Sequence, residues 1–246
     1  MPATPAWPPK SSPRLFVRAA LDDNAAVALD ARQANYLGNV LRLKEGGEVL
    51  LFDGQSGEWL ARITEAAKKR MTLTVARKTR EPEPIPDVWL AFAPVKRTHT
   101  DWLIEKATEL GAARLVPIIT QRTIAERVRV ERLEAIAIEA AEQCGRTRLP
   151  DISEPLPLAH LLQHRDSSRT LYFADEGGGE PAGHAFTAGP AVILTGPEGG
   201  FTNDEREAVR AAPNSIAISL GPRILRAETA ALAALAAWMS AAGDWR

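Results

Sequence analysis

Hydrophobic rhythm changes once along this chain, across Glu81-Pro82-Glu83-Pro84-Ile85-Pro86, and that change constrains the architecture more than any single motif. Prolines remove backbone donors and disfavour helix at the preceding residue, so 81–86 reads as a linker between two differently built parts. Upstream, Arg14 to Arg80 is mostly strand-like: RLFVRA, EVLLFDG, EWLARI and MTLTVARK are short apolar or alternating runs rich in β-branched and aromatic residues. Asp53-Gly54-Gln55-Ser56-Gly57 reads as a hairpin loop. One helical candidate, ARQANYLGNVLR, places Tyr36, Leu37, Val40 and Leu41 on one face, with Arg32 and Arg42 off it. Residues 14–80 are therefore expected to form a small β-barrel, near the lower size limit for an independent core. The proline-studded residues 1–13 read as a disordered lead-in, not a signal peptide, because they lack an apolar core.

Downstream, strands and helices alternate. DVWLAFA, ARLVPII, TLYFADE, AVILTG and SIAISLG read as strands; TDWLIEKATELG and VERLEAIAIEAAEQCG read as helices, each closed by a glycine. Further helices are expected after Thr202, where Glu205 completes a capping box, and after Arg226. Alternation of this kind implies an α/β layer with a mostly parallel sheet over 87–246. Ligands bind beyond the carboxyl ends of such strands, which points to three loops: 174–177, 195–200 and 220–226.

Several function classes are excluded or weakened. No apolar run approaches a membrane span. The single cysteine, Cys144, rules out an internal disulfide framework, so a cytoplasmic home is the default. Cys144 shares a helix side with Ala137, Ala140 and Ala141 and reads as a buried small hydrophobe. There is no G-x-x-x-x-G-K-[ST] loop, no G-x-G-x-x-G after the first strand of the second part and no G-x-S-x-G elbow. His160 and His164, spaced i, i+4, read as surface positions of a short helix, and no metal is expected. Residues 1–80 carry 13 Lys+Arg against 8 Asp+Glu, whereas 81–246 carry 17 against 23. That asymmetry fits either a polyanion-binding module beside an acidic domain or scattered solvated charge.

Three segments then act together: LTGPEGGFTNDE (194–205), ISLGPRILRAETA (218–230) and EAAEQCGRTRLP (139–150). With YLGNVLRLKEGGEVLLFDG and WLIEKATELGAARLVPIITQRT, they resemble the SPOUT superfamily, closest to the bacterial 16S rRNA (uracil-N3)-methyltransferases of the RsmE type. One departure is Ala34-Asn35, where many members of that family carry a histidine. The resemblance implies an N-terminal PUA-like β-barrel that binds RNA, followed by a trefoil-knotted α/β methyltransferase domain. It further implies S-adenosylmethionine as methyl donor, 16S rRNA or the assembled small ribosomal subunit as substrate, and a homodimer.

On that resemblance, Ala174, Thr195, Gly196, Pro197, Glu198, Gly199, Gly200, Leu220, Gly221, Ile224, Leu225 and Thr229 are expected at the cofactor, with Leu220, Ile224 and Leu225 as an apolar bed for adenine. Arg226 is expected beside the uracil oxygens, where it would favour the anion formed when N3 loses its proton. Glu198 or Glu228 would orient a loop or polarise the base, and solvent remains a possible proton acceptor. Arg14, Arg18, Arg42 and Arg62 in the barrel, and Lys96, Arg97 and Arg146 beyond it, are the expected RNA contacts. The alanine-rich last helix is expected at the subunit contact.

Overall fold

The computed structural model describes residues 12–67, 70–124 and 128–245; most of the expected lead-in lies outside them. The chain forms two compact units, one comprising 1–83 with 142–148, the other 84–141 with 149–246.

The first unit contains β1 (Arg14–Phe16), β2 (Ala26–Ala28), α1 (Ala31–Asn35), a π-helical turn (Tyr36–Val40), β3 (Glu48–Phe52), β4 (Glu58–Ala67) and β5 (Arg70–Arg80). The strand run expected of a small barrel is a five-stranded sheet ordered β1-β3-β4-β5-β2. All its pairs are antiparallel except β1 with β3. One core gathers Leu15, Val27, Leu37, Leu51, Ile63 and Leu73. Asp30 and Gln33 form a capping box at α1, yet of the four residues expected on its apolar face only Leu37 is buried. Tyr36, Val40 and Leu41 are exposed. The π turn from Tyr36 onward breaks the 3.6-residue period on which that face was drawn.

Residues 142–148 belong to this unit because two of its arginines bind them. Arg14, 7% exposed, donates to Glu58 Oε2 at 2.8 Å and to the carbonyls of Glu142 (3.1 Å) and Arg146 (2.9 Å). Arg80 donates to the Gly145 carbonyl and to Glu58. Arg146, 6% exposed, donates to the Arg148 carbonyl at 3.0 Å and lies 3.7 Å from Glu83. The expectation that Arg14 and Arg146 meet RNA is therefore corrected: both guanidinium groups are buried and engaged in holding backbone.

The second unit contains β6 (Val88–Phe92), α2 (Arg97–Glu109), β7 (Arg114–Ile119), most of α3 (Val130–Cys144), β8 (Asp151–Ile152), β9 (Leu156–Pro157), α4 (Leu158–His164), β10 (Thr170–Ala174), β11 (Glu180–Pro181), α5 (Ala182–Ala185), β12 (Ala191–Thr195), α6 (Asn203–Ala211), β13 (Ser215–Ser219) and α7 (Ala227–Ala241). The sheet runs β11-β13-β10-β12-β6-β7-β8, every pair parallel, with β9 also on β7. Its central strands read as continuous apolar runs because both faces are buried. Gly111 and Gly145 adopt φ of +96° and +88° beyond the ends of α2 and α3.

Two further expectations change. Cys144 is only half-buried. The last helix, α7, buries Ala231, Leu232, Ala234, Leu235, Trp238 and Met239 in the core of its own unit. Its apolar character needs no second subunit.

Candidate active site

Strands β13, β10, β12 and β6 are parallel neighbours, so their carboxyl ends lie on one side of the sheet. The loops leaving β10, β12 and β13 there wall a cavity of about 840 Å³. Lys96, His99, Ala227 and Ala230 complete the wall. This is where open parallel sheets take ligands, and the volume lies within the usual range for small-molecule sites.

Groups behind the loops hold them in place. Asp175 is buried; its carboxylate lies 3.2 Å from Arg206 Nε, accepts from Arg210 Nη2 at 2.6 Å and from the Gly177 N–H at 2.8 Å. Arg206 also donates to Glu176 at 3.0 Å. Thr202 and Glu205 form the expected capping box at α6, and Glu205 also accepts the Gln121 N–H at 2.8 Å. Arg122 donates to the Gly199 carbonyl at 2.8 Å.

Two glycines are dictated by this packing. A Cβ at Gly196 would sit 2.6 Å from the Phe201 ring, which packs edge-on to Phe173. Gly200 adopts φ +66°, and a Cβ there would meet Glu176 Oε1 at 2.6 Å.

All the residues expected at the cofactor line the cavity except Gly199 and Thr229. Gly199 faces Arg122 instead. Thr229 is exposed on another side of α7 from Ala227 and Ala230, which share the cavity-facing side. Ile224 lines the cavity but is 93% exposed. Arg226, the N-cap of α7, faces the cavity and makes no capping hydrogen bond. Glu198 lines the rim and is exposed. Lys96 lines the wall, whereas Arg97 belongs to a different cavity. In the first unit, Arg18 and Arg42 are exposed, and Arg62 is exposed while paired with Glu48 at 3.1 Å.

One participant had no sequence signal. His99 Nδ1 lies 3.4 Å from Glu228 Oε1, within ion-pair range but without hydrogen-bond geometry. Glu228 is 6% exposed, and its Oε2 has no hydrogen-bond partner among the described residues. Such a carboxylate is costly unless something completes it. His99 sits in the first turn of α2 and Glu228 in the first turn of α7, so only the fold brings them together.

A two-unit chain with this loop-built cavity falls in the class of RNA methyltransferases carrying a PUA domain. Residues 81–239 match the RNA methyltransferase domain family, and 29–76 match the RNA methyltransferase PUA domain family. The chain is 33% identical to ribosomal RNA small subunit methyltransferase E of Rickettsia conorii, over 91% of this chain and 93% of the relative. It is 34% identical to the Synechocystis protein of the same name, over 86% of this chain and 72% of the relative. Among solved structures, ribosomal RNA small subunit methyltransferase E from Neisseria gonorrhoeae, bound to S-adenosyl methionine, superposes with a TM-score of 0.88 at 28% identity, over 96% of this chain and all of that one. The chain belongs to the ribosomal RNA small subunit methyltransferase E family.

Proposed function

We propose that this chain methylates N3 of a uridine in the 16S rRNA of the small ribosomal subunit, with S-adenosylmethionine as donor. The observation that carries the reading is one cavity bounded by three strand-end loops, with Arg226 and His99 on its wall and the buried Glu228 beside His99. The donor set suits an adenosyl sulfonium. Ile218, Leu220 and Leu225 offer apolar surface, the loops offer backbone N–H and C=O groups, and Glu198 offers negative charge toward a cationic ligand, Glu176 being paired with Arg206. Ile224, nearly bare otherwise, would gain cover from adenine. Bound there, S-adenosylmethionine would supply an electrophilic methyl group on a positively charged sulfur.

The chain's own residues then have distinct tasks. Arg226 places its guanidinium at uracil O2 or O4 and stabilises the charge that develops as N3 loses its proton. His99 accepts that proton at Nε2, because Glu228 behind Nδ1 favours the tautomer with hydrogen on Nδ1. The electron pair so freed on N3 would be the nucleophile for the donor's methyl group, the C–S bonding pair leaving with sulfur as a neutral thioether. Glu198 orients the 196–200 loop. A carboxylate pressed on the sulfonium would stabilise the ground state more than a transition state in which that charge is being neutralised. Arg18, Arg42 and Arg62 are the proposed backbone contacts of the first unit, and Lys96 the contact at the cavity.

Nucleoside mass spectrometry of small subunits incubated with protein and donor tests the reaction. New 3-methyluridine supports it. A new 2′-O-methyl nucleoside would move the methyl to ribose, and no product would leave only an RNA-binding protein. For His99, the expected result is that His99→Ala lowers turnover about 10²–10⁴-fold. Turnover equal to that of the wild type would assign the proton to solvent.

A homodimer in the cytoplasm, with the knot formed around the 196–200 and 220–226 loops, belongs to the same proposal. Trp102, Ile119, Ile124 and Trp245 stand exposed on the second unit, surface that a second copy would cover. Light scattering should give twice the chain mass of 26.6 kDa; a single chain mass would remove the dimer.

A further inference from the structure

The second unit holds another cavity, of about 440 Å³, which the mechanism above does not use. Arg97, Arg129 and Arg132 line it, with Asp101 as the single carboxylate among the described lining residues. Asp101 is already committed: it forms an ion pair with Arg132, fixing that guanidinium in the wall. Burial pushes its carboxyl above the ordinary value, and nearby Arg97 pulls it back down. The guanidinium groups of Arg97 and Arg129 make no hydrogen bond or ion pair with any described residue. Among the described lining residues, three cations and one anion leave an excess of two positive charges, concentrated where walls exclude part of the water.

The first turn of α2 separates this cavity from the larger one. Lys96 and His99 line the first; Arg97, Thr100 and Asp101 line the second. Residues three and four apart share a helix side, roughly 5–6 Å between Cβ atoms, so the two sets belong to adjacent sides of one turn. The N-cap, Lys96, supplies no side-chain acceptor to the amides of that turn. The positive end of a 13-residue helix therefore adds to the field of the arginines.

We propose that the second cavity is a phosphate subsite for the rRNA strand. It would grip the phosphodiester beside the nucleotide whose base enters the larger cavity. This rests on the rRNA methyltransferase reading and extends it by naming where the strand is held. The bidentate fork of arginine suits phosphate oxygens, and two guanidinium groups that hydrogen-bond to no described residue are available to receive them. The lining includes Pro94, Val95, Val128 and Leu133 but no aromatic ring, and its charge is that of three guanidinium groups, so the phosphodiester is the occupant its charge selects. Holding the backbone across α2 would fix how deeply the target base reaches toward His99 and Arg226.

Binding of unmethylated small ribosomal subunits should be measured between about 50 and 200 mM salt for the wild type, the Arg97→Glu/Arg129→Glu double variant and Arg129→Lys. The double variant is expected to bind at least about tenfold more weakly at the low-salt end. Its slope of log affinity against log salt should shrink by about 0.7–0.9, the value of one lost phosphate contact. Arg129→Lys should keep the slope, because it keeps the charge. Both side chains are exposed, and affinity for S-adenosylmethionine, read by calorimetry, should equal that of the wild type in every variant. Unchanged subunit affinity and slope in the double variant, with donor binding intact, overturns the subsite and leaves the methyltransferase reading standing. A wild type that binds neither donor nor subunits overturns both. Calorimetry with inorganic phosphate separates the sources: a phosphate heat lost in the double variant, with subunit binding unchanged, would make this a free-anion site and also overturn the proposal.

Discussion

Arg226→Ala is expected to cut single-turnover methylation by about 10²–10³-fold, or ~2.7–4 kcal/mol, the usual effect of deleting one preorganised donor to a developing oxyanion. Affinity for S-adenosylmethionine should stay close to that of the wild type. The separation follows from what Arg226 does and does not touch. It is exposed at the N-cap of α7 with extended backbone (φ −65°, ψ 154°), and no capping bond from its side chain holds the helix. Truncation therefore leaves α7 and the loop before it intact. Arg226 lines the cavity at the positive end of a helix, so in the proposed reaction charge appearing on uracil O2 or O4 would meet both the fork and the helix dipole. That interaction exists only once N3 begins to lose its proton. By differential binding, its loss falls on turnover and not on ground-state affinity. Arg226→Lys keeps charge without the planar fork and should fall between wild type and alanine. Arg223, in the same loop, controls for position: it also lines the cavity, and Arg223→Ala should cost less. Donor affinity falling in step with turnover would make Arg226 a binding residue and require another source for the anion's stabilisation.

What the sequence reveals of this site divides along a physical line. Signals that act over a few residues were legible: the Thr202–Glu205 capping box, the glycines closing α2 and α3, and the strand ends that deliver three loops. Each is a local hydrogen-bond or backbone requirement and needs no partner far along the chain. Gly199 and Thr229 do not line the cavity, because which side of a turn faces it depends on packing, here on Arg122 and on the rotation of α7. The His99–Glu228 pair had no local signature at all, since its halves lie on two helices far apart in sequence that only the fold packs together. The parallel pairing of β1 with β3 and the capture of 142–148 by Arg14 and Arg80 are equally non-local. The π turn at Tyr36 shows the converse case, a local deviation from the α period that redirected three apolar side chains into solvent.

The largest stability effect is expected at Glu58, in the first unit. Its carboxylate, 5% exposed, accepts from Arg14 Nε at 2.8 Å, from Arg80 at 3.2 Å and from the Thr79 hydroxyl at 3.0 Å. Arg14 is equally buried and lies 4.7 Å over the Phe52 ring, so its charge has no water to retreat to. Deleting Glu58 leaves that charge uncompensated, and Glu58→Ala should cost about 3–5 kcal/mol. Glu58→Gln keeps shape and one acceptor and should cost less, about 1.5–3 kcal/mol. A five-stranded unit of this size has little stability to lose, so the alanine change should raise hydrogen exchange of β3, β4 and β5 toward the unprotected rate. The double change Arg14→Met/Glu58→Leu separates two accounts of the pair. Where a buried ion pair only satisfies itself, hydrophobic replacement is often neutral or stabilising. Here Arg14 also donates to the carbonyls of Glu142 and Arg146, and methionine cannot. The double variant should therefore remain destabilised, by about 1–3 kcal/mol for each carbonyl left buried without a donor. Full recovery of exchange protection would show that the pair serves only itself and that other contacts hold 142–148 to the sheet.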